Sequence, residues 1–258
     1  MAKPILVLVG ADKGGVGKTT VARTLLDYFV GHRVPVRAFD SEAPKGTLKH
    51  FHPELSEIVD IASLSGQMRI FDNPPTAETS VTLIDVRSGL LSPTLRLLHD
   101  IGVLDAVKSG QFNLLLFHIL GSSIASLNEI DEIADLTADA ARFVVKNYIN
   151  DTSFFEWDQR TYASYLKKIK DAVEIAVPKL NEIAYEQVEL ASVPFPDFVA
   201  NKDAKGEAAN YSFVLRGYVR NWFAKVCAEY DRVRLKEIVA SGEVVPAKSP
   251  RVRLVSGS

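Results

Sequence analysis

The stretch Gly10-Ala11-Asp12-Lys13-Gly14-Gly15-Val16-Gly17-Lys18-Thr19-Thr20 follows an apolar run, Ile5–Val9, and precedes a segment of helical character, Val21–Leu26. Glycines allow the backbone N–H groups of a loop to turn inward, and the helix that follows presents the positive end of its dipole to the same point. A strand, a glycine-rich loop and a helix in this order predict a phosphate-binding loop.

Two side chains of the loop suit a nucleotide bound with magnesium. Lys18 can reach the β- and γ-phosphates, and Thr19 can supply a hydroxyl to Mg²⁺. The plain pattern G-x-x-x-x-G-K-[ST] fails at its first glycine, where the chain has Asp12. The form that remains from Lys13 to Thr20 is Lys-Gly-Gly-x-Gly-Lys-Thr, which carries a second lysine and is more specific than the plain pattern.

The segment Lys13–Thr20 resembles the deviant Walker A loop of the ParA/MinD family. The resemblance implies the P-loop NTPase fold, a three-layer α/β/α arrangement with a mostly parallel twisted sheet. It also implies Mg-ATP as the ligand, a homodimer that closes on ATP, and a partner protein that stimulates hydrolysis. The loop residues that it assigns to the nucleotide are Lys13, Gly14, Gly15, Val16, Gly17, Lys18, Thr19 and Thr20.

Two further segments resemble the same family in order and spacing. Val36–Glu42 resembles the second strand and switch I, and Thr82–Gly89 resembles the Walker B strand and switch II. The resemblance places Asp40 near Mg²⁺ and gives Asp85 a magnesium-bound water. Each of these aspartates ends an apolar run, where a buried carboxylate without a cation would be costly. The metal site is therefore predicted at Thr19, Asp40 and Asp85.

Catalytic roles follow from the same resemblance. Glu42 stands where many partitioning ATPases carry the second Asp of an Asp-x-Asp pair, which orients the attacking water. A longer carboxylate can still orient water, so we expect slow hydrolysis without a partner. The catalytic residues implied are Lys13, Lys18, Asp40 and Glu42. Arg87 in switch II is open to two interpretations, a phosphate sensor or a solvated loop charge, and the second is favoured because surface Arg is common.

The base of the nucleotide is assigned from two later segments. Phe143–Asn147 resembles the strand whose terminal Asn reads the base, and Val193–Phe195 resembles the loop that flanks the adenine. Asn147 is equally well explained as a turn residue at the end of a strand. The resemblance thus adds Asn147, Pro194 and Phe195 to the nucleotide-binding residues.

Apolar, β-branched runs alternate with helical periodicity along the chain, and this alternation predicts a mostly parallel sheet covered on both faces. The predicted strands are Ile5–Val9, Val34–Phe39, Val81–Val86, Leu114–Leu120, Phe143–Ile149 and Val188–Val193. The predicted helices are Lys18–Phe29, Ser92–Val107, Ser126–Ala140, Tyr162–Ala176 and Ser212–Ala240.

The composition favours one globular domain of the cytoplasm. The 258 residues, 47% of them hydrophobic, are enough for a single core. The lone cysteine, Cys227, excludes an intrachain disulfide and cannot hold a zinc or iron–sulfur site by itself. The apolar runs are shorter than the roughly 20 residues that span a bilayer, and no signal-peptide cleavage site follows Met1. We expect one ATPase domain over residues 1–241 and a flexible tail over residues 242–258.

Charge is unevenly distributed along the chain. Residues 202–258 carry 11 Lys and Arg against 6 Asp and Glu, a balance of +5 in a chain whose net charge is −2. A basic C-terminal region predicts weak, sequence-independent DNA contact. Arg216, Arg220 and Arg234 share one side of the predicted last helix, although a solvated helix face explains them as well.

The resemblance leaves several functions open. A ParA-like ATPase that drives DNA or plasmid partition, or intracellular positioning, is the leading hypothesis. A MinD-like ATPase that cycles on membranes needs a C-terminal amphipathic helix, whereas residues 247–255 contain a proline and little apolar face, so no stable membrane association is expected. Metabolic relatives such as dethiobiotin synthetase or cobyrinic acid amidase generally lack the lysine at Lys13. A nucleotide-dependent binding module without catalysis is the fourth possibility.

Overall fold

The computed structural model describes residues 3–72, 80–121, 123–150, 153–154, 158–169 and 172–241. Strands and helices alternate along these residues. The strands are β1 Ile5–Gly10, β2 Val36–Asp40, β3 Ser56–Ile58, β4 Val81–Asp85, β5 Asn113–Leu120, β6 Ala141–Asn147 and β7 Val173–Val177. The helices are α1 Lys18–Gly31, α2 Thr47–Phe51, α3 Leu64–Phe71, α4 Leu91–Asp100, α5 Val103–Lys108, α6 Ile124–Glu132, α7 Gln159–Leu166, α8 Glu182–Ala191, α9 Phe195–Val199, α10 Phe213–Arg232 and α11 Leu235–Ser241.

The described strands form one parallel sheet in the order β3-β2-β4-β1-β5-β6-β7. Strand β1 lies between β4 and β5, so the strand order reverses at its carboxyl end. In open α/β sheets, ligands bind in the crevice at such a reversal. The loop that follows β1 is the glycine-rich stretch identified in the sequence, and the fold therefore places it at the expected ligand crevice.

Helices cover both faces of the sheet because alternate residues of each strand point to opposite sides. On β1, Val7 belongs to the apolar core that includes α1 and α10, whereas Leu8 belongs to the core that includes α4. The predicted three-layer α/β/α architecture is confirmed.

The last strand lies earlier in the chain than the sequence predicted. The predicted strand Val188–Val193 is mostly helix α8, whose first turn is capped by the Asn181 side chain, which accepts from the Ala184 N–H at 3.1 Å. The true last strand, β7, lies within and just beyond the predicted helix Tyr162–Ala176. Its alternate side chains are buried, a period of two that was concealed because Val173 and Ala176 continue the helical spacing of Tyr162, Leu166 and Ile169.

Two predicted helices are each divided. The segment 92–107 forms α4 and α5, separated at Gly102, which has φ of 78°. The segment 212–240 forms α10 and α11, separated at Arg234, which has φ of 58° in the left-handed region. Left-handed backbone ends a helix, and the periodicity of the apolar residues does not reveal it.

Residues 242–258, the predicted tail, lie outside the described residues, and the domain boundary at residue 241 stays a prediction. Within the described part of the chain, no helix has the length and apolar character needed to cross a bilayer.

Candidate nucleotide-binding site

The glycine-rich loop opens onto a cleft of about 350 Å³ at the carboxyl ends of the strands. Gly15 and Gly17 have φ of 72° and 82°, a conformation that L side chains rarely adopt. A Cβ at Gly17 would also lie 2.1 Å from Nδ2 of Asn147. Glycine is therefore required at Gly17 for both backbone conformation and space.

Lys18 lies at the floor of this cleft and is 7% exposed. Its ammonium donates to the carbonyl oxygen of Lys13 at 3.1 Å and to Oγ of Ser88 at 2.6 Å. Burial lowers the pKa of Lys18, while the nearby Asp85 carboxylate acts in the opposite direction. A partly desolvated cation between a loop and a cleft is a strong attractor for phosphate oxygens.

Thr19 and Asp85 meet on the wall of the same cleft, where the Thr19 hydroxyl is hydrogen-bonded to the Asp85 carboxyl. Burial raises the pKa of Asp85 to about 7, and Asp40 and Glu42 also raise it, whereas Thr19 and Lys18 lower it. Oδ1 of Asp85 is buried and has no hydrogen-bond partner among the described residues.

These oxygens fit magnesium, which retains waters and binds substrate phosphates through few protein ligands. In the described part of the chain, no group of three or more His, Cys, Asp or Glu side chains is arranged to hold a metal ion. A hydroxyl and one carboxylate beside a phosphate loop are the kind of protein oxygens that a magnesium ion bound to nucleotide phosphates would use.

Asp40 lies beside Asp85 on the neighbouring strand, and its carboxylate accepts backbone hydrogen bonds. Oδ1 accepts from the Glu42 N–H at 2.9 Å, and Oδ2 accepts from the N–H groups of Leu48 and Lys49 at 2.6 and 3.1 Å. These bonds leave acceptor capacity on the carboxylate, so the metal-ligand and catalytic roles of Asp40 stay predictions. Asp40 holds switch I against the N-terminus of α2, which is a structural role.

Glu42 and Arg87 line the cleft as candidate groups near the terminal phosphate. Oε2 of Glu42 accepts from the Thr47 hydroxyl at 2.6 Å, which fixes the direction of its side chain. The side chain of Arg87 is exposed at the cleft. The two switch segments therefore each present one charged group to the same space.

Ser41 joins the two switches, a role that sequence reasoning missed. Its hydroxyl donates to the carbonyl oxygen of Asp85 at 2.9 Å and accepts from the Arg87 N–H at 2.7 Å. A serine after a strand-ending aspartate carries no recognisable signal, because the bonds connect segments about forty residues apart, a separation that local pattern does not report.

A second cavity of about 140 Å³ adjoins Thr20 and suits the base of a nucleotide. Asn147 lines it, but Nδ2 of Asn147 donates to the carbonyl oxygen of Val16 at 3.1 Å, so this amide also holds the phosphate loop. The turn after β7, residues 178–180, forms the opposite wall together with Tyr185. Sequence reasoning missed these residues.

Pro194 and Phe195 do not line either cavity, and their assignment to the adenine is corrected. Phe195 is 0% exposed and its ring centre lies 4.9 Å from that of Trp222, inside the core. The error follows from the misplaced last strand. A second Val-Pro pair, Val177-Pro178, occurs at the end of β7, and the alternation in β7 is the signal that could have identified it.

Lys13 is not among the described residues that line the cleft of its own chain. Its N–H donates to Oε1 of Glu129 at 3.2 Å, and its side chain passes close to Gly121, where a Cβ would meet Cδ of Lys13 at 2.8 Å. The loop thus points its first lysine away from the cleft that holds Lys18.

The three arginines proposed to share one helix side lie in different surroundings. Arg216 donates to the carbonyl oxygen of Val199 at 3.3 Å and serves the fold. Arg220 is exposed on α10, whereas Arg234 follows the end of that helix. The three arginines therefore do not form the predicted common row, and of the two on α10 only Arg220 is exposed.

No protein-family model matches the chain, and no curated protein matches it. Solved structures resemble it. The septum site-determining protein MinD complexed with Mg-ADP, from Pyrococcus horikoshii, has a TM-score of 0.51 at 16% identity, over 92% of this chain and 98% of that one. A nucleotide-binding protein in complex with ADP from Archaeoglobus fulgidus has a TM-score of 0.46 at 17% identity, over 72% and 86% of the two chains.

MinD in the MinC:MinD complex from Aquifex aeolicus has a TM-score of 0.45 at 14% identity, over 86% of this chain and 96% of that one. The likeness to the Pyrococcus protein extends over nearly all of both chains and shows that this chain has the fold of MinD. The P-loop NTPase fold predicted from the loop is confirmed.

Proposed function

We propose that the chain is an ATPase of the ParA/MinD type that binds Mg-ATP and hydrolyses its γ-phosphate. The observation that carries this proposal is the arrangement of Lys18, Thr19 and Asp85 at one cleft behind a glycine loop. A buried cation faces the phosphate position, and the unpartnered Oδ1 of Asp85 lies beside the hydroxyl that would reach Mg²⁺. That the MinD of the same fold is complexed with Mg-ADP supports this ligand.

Each residue has a distinct part in the proposed reaction. The N–H groups of the loop and Lys18 hold the β- and γ-phosphates, and magnesium, when bound with the nucleotide, would neutralise charge that develops on them. Glu42, directed by Thr47, orients the attacking water. Asn147 and the turn after β7 hold the base, while Arg87 faces the outer end of the cleft.

The first test removes magnesium and one of the residues proposed to position it. The unaltered chain is expected to release phosphate from ATP with Mg²⁺. It should lose that activity in EDTA, because the charge that develops on the phosphates is then no longer neutralised by the metal ion. Asp85→Asn should lower turnover by about a hundredfold, the loss typical of a group that acts on the transition state. Asp139→Asn, an exposed carboxylate far along the chain, is the matched control.

Turnover that is unchanged in EDTA would contradict the metal role. Magnesium-dependent nucleotide binding without phosphate release would instead favour a binding module without catalysis. This alternative stays open because the chain has Glu42 where many partitioning ATPases have an aspartate.

We propose partition or positioning of a cargo as the cellular role, with an ATP-closed homodimer and a stimulating partner protein. DNA contact through the basic C-terminal region is part of this proposal. Arg220 and Lys225 are exposed on α10, and Lys236 is exposed on α11. The residues that a membrane-cycling protein would need for an amphipathic tail, 247–255, lie outside the described residues.

DNA binding is expected to be weak, independent of sequence and steeply dependent on salt. Replacing Arg220 and Lys225 by Ala should reduce binding severalfold in low salt. The slope of log K against log salt concentration should become shallower by about two, because two phosphate contacts are lost. The double variant should keep its basal ATP hydrolysis, because neither residue lines the cleft. Lys108→Ala on α5 is the control for the loss of one exposed charge, and the test uses mobility of a mixed-sequence duplex with and without ATP. Binding that persists in high salt would contradict the proposal.

A further inference from the structure

Asp12 takes the place of the first glycine of the plain phosphate-loop pattern, and its carboxylate leaves the loop to hold another element. Oδ1 accepts from the N–H groups of Leu91 and Ser92 at 2.8 and 3.2 Å, and Oδ2 accepts from the Ser92 hydroxyl. These donors form the start of α4, about eighty residues further along the chain. A glycine at this position would provide none of these bonds.

Helix α4 depends on this contact for its first turn. Its N-cap residue, Leu90, makes no side-chain capping bond, so two N–H groups that have no partner within the helix are met by Asp12. A carboxylate at this end also interacts favourably with the helix dipole. Leu91 itself packs tightly on the end of β1, because a Cβ at Gly10 would lie 2.8 Å from Cδ1 of Leu91.

The backbone of Asp12 is held from the opposite side. Its N–H donates to Oε2 of Glu129 at 2.9 Å, and the same oxygen lies 3.1 Å from Nε2 of His118. Both residues are buried. Asp12 is therefore fixed through its backbone to α6 and through its side chain to α4.

The loop that precedes α4 carries the switch II groups of the cleft. Its first part is fixed where the Arg87 N–H donates to Ser41, and its end is fixed where the Leu91 N–H donates to Asp12. Between these two points Ser88 accepts from the ammonium of Lys18 at 2.6 Å. The position of Ser88 over the cleft thus depends on where α4 begins.

We propose that Asp12 is a positioning residue that connects the phosphate loop to switch II by anchoring the N-terminus of α4. This inference rests on the proposed ATPase function. Asp12 does not line the cleft, and among the carboxylates that raise the pKa of Lys18 its contribution is the smallest, after those of Asp85, Glu129 and Glu42. Its main effect is therefore on turnover, through the placement of Ser88 and Arg87, rather than on the affinity of the loop for phosphate.

The experiment compares Asp12→Gly, the residue of the plain pattern, with Asp12→Asn, which retains one acceptor oxygen for the Leu91 N–H. Three quantities are measured: amide hydrogen exchange at residues 91–92 with Mg-ADP, the Kd of Mg-ADP, and kcat for ATP. For Asp12→Gly we expect exchange at these amides to rise about tenfold and kcat to fall about tenfold, the scale of a lost helix cap. The Kd of Mg-ADP should change by less than about threefold.

Asp12→Asn is expected to fall between Asp12→Gly and the unaltered chain in both exchange and kcat. Asp100→Asn, an exposed carboxylate at the other end of α4, should leave all three quantities unchanged. Unaltered exchange at residues 91–92 in Asp12→Gly would overturn the anchor, and increased exchange with unaltered kcat would overturn the link to switch II. A chain that binds Mg-ADP but never turns over ATP would defeat the proposed function. The role of Asp12 as an anchor of α4 would then be tested only by hydrogen exchange at residues 91–92 and by the Kd of Mg-ADP.

Discussion

Replacing Lys18 by Ala is expected to weaken the binding of Mg-ATP by about a hundredfold or more, since it removes two or more charge-assisted hydrogen bonds to the phosphates. Among the described residues, Lys18 is the one lysine that lines the cleft. Titration calorimetry with ATP and with ADP measures the effect, and Lys18→Met, which retains the length of the chain, should behave in the same way. Lys45→Ala, an exposed lysine near switch I, is the matched control.

Folding should survive this substitution. Burial lowers the pKa of Lys18, which means that its charged form is disfavoured by its surroundings, so removing the charge relieves a desolvation cost. A thermal midpoint close to that of the unaltered chain would therefore accompany the loss of binding. Retained micromolar affinity in a folded Lys18→Ala variant would contradict the assignment of the cleft.

The parts of the site that the sequence predicted are those formed by neighbours in the chain. Gly17, Lys18 and Thr19 form the loop by local geometry, and the run of residues on either side specifies the strand and the helix. Asp85 was also predicted, because an aspartate that ends a buried parallel strand lies at the edge where ligands bind. Local pattern was sufficient to place these residues at the cleft, while their roles toward nucleotide and metal stay predictions.

The parts that were missed depend on contacts between distant segments. Asp40 has the sequence context of a metal ligand, but its bonds to the Glu42 N–H and to the N–H groups of Leu48 and Lys49 at the start of α2 are visible only in the folded structure. The pairing of Asp12 with α4 is likewise invisible in a single sequence. Of the residues predicted for the base, Asn147 lines the second cavity, whereas the turn at residues 178–180 was missed because β7 was mistaken for part of a helix.

Lys13 raises a different question, because a phosphate loop of the plain pattern works without it. In the structure its N–H is held by Glu129 and its side chain passes Gly121, outside the cleft of its own chain. A second copy of the chain, as in the proposed ATP-closed homodimer, would give this lysine a function. If two chains meet face to face over their nucleotides, Lys13 of one reaches the phosphates of the other and neutralises charge during γ-phosphoryl transfer, as an arginine finger does in trans.

Lys13→Ala is therefore expected to bind Mg-ATP almost normally while kcat falls by about a thousandfold, the low end of the range for a group supplied in trans. Alanine retains the N–H that donates to Glu129, so the loop should keep its shape. Sedimentation with a non-hydrolysable ATP analogue should show a dimer for the unaltered chain and a monomer for the variant. Lys45→Ala again serves as the control for the loss of one lysine.

Mixing Lys13→Ala with Lys18→Ala separates action in trans from action within one chain. In the mixed pair, the Lys18→Ala chain holds no nucleotide but contributes an intact Lys13, whereas the Lys13→Ala chain holds nucleotide. Such a pair has at most one competent site, so the mixture is expected not to regain full activity, and any activity regained must come from Lys13 acting across the interface. A Lys13→Ala variant that dimerises and turns over ATP like the unaltered chain would leave a P-loop nucleotidase whose first lysine has no part in the reaction.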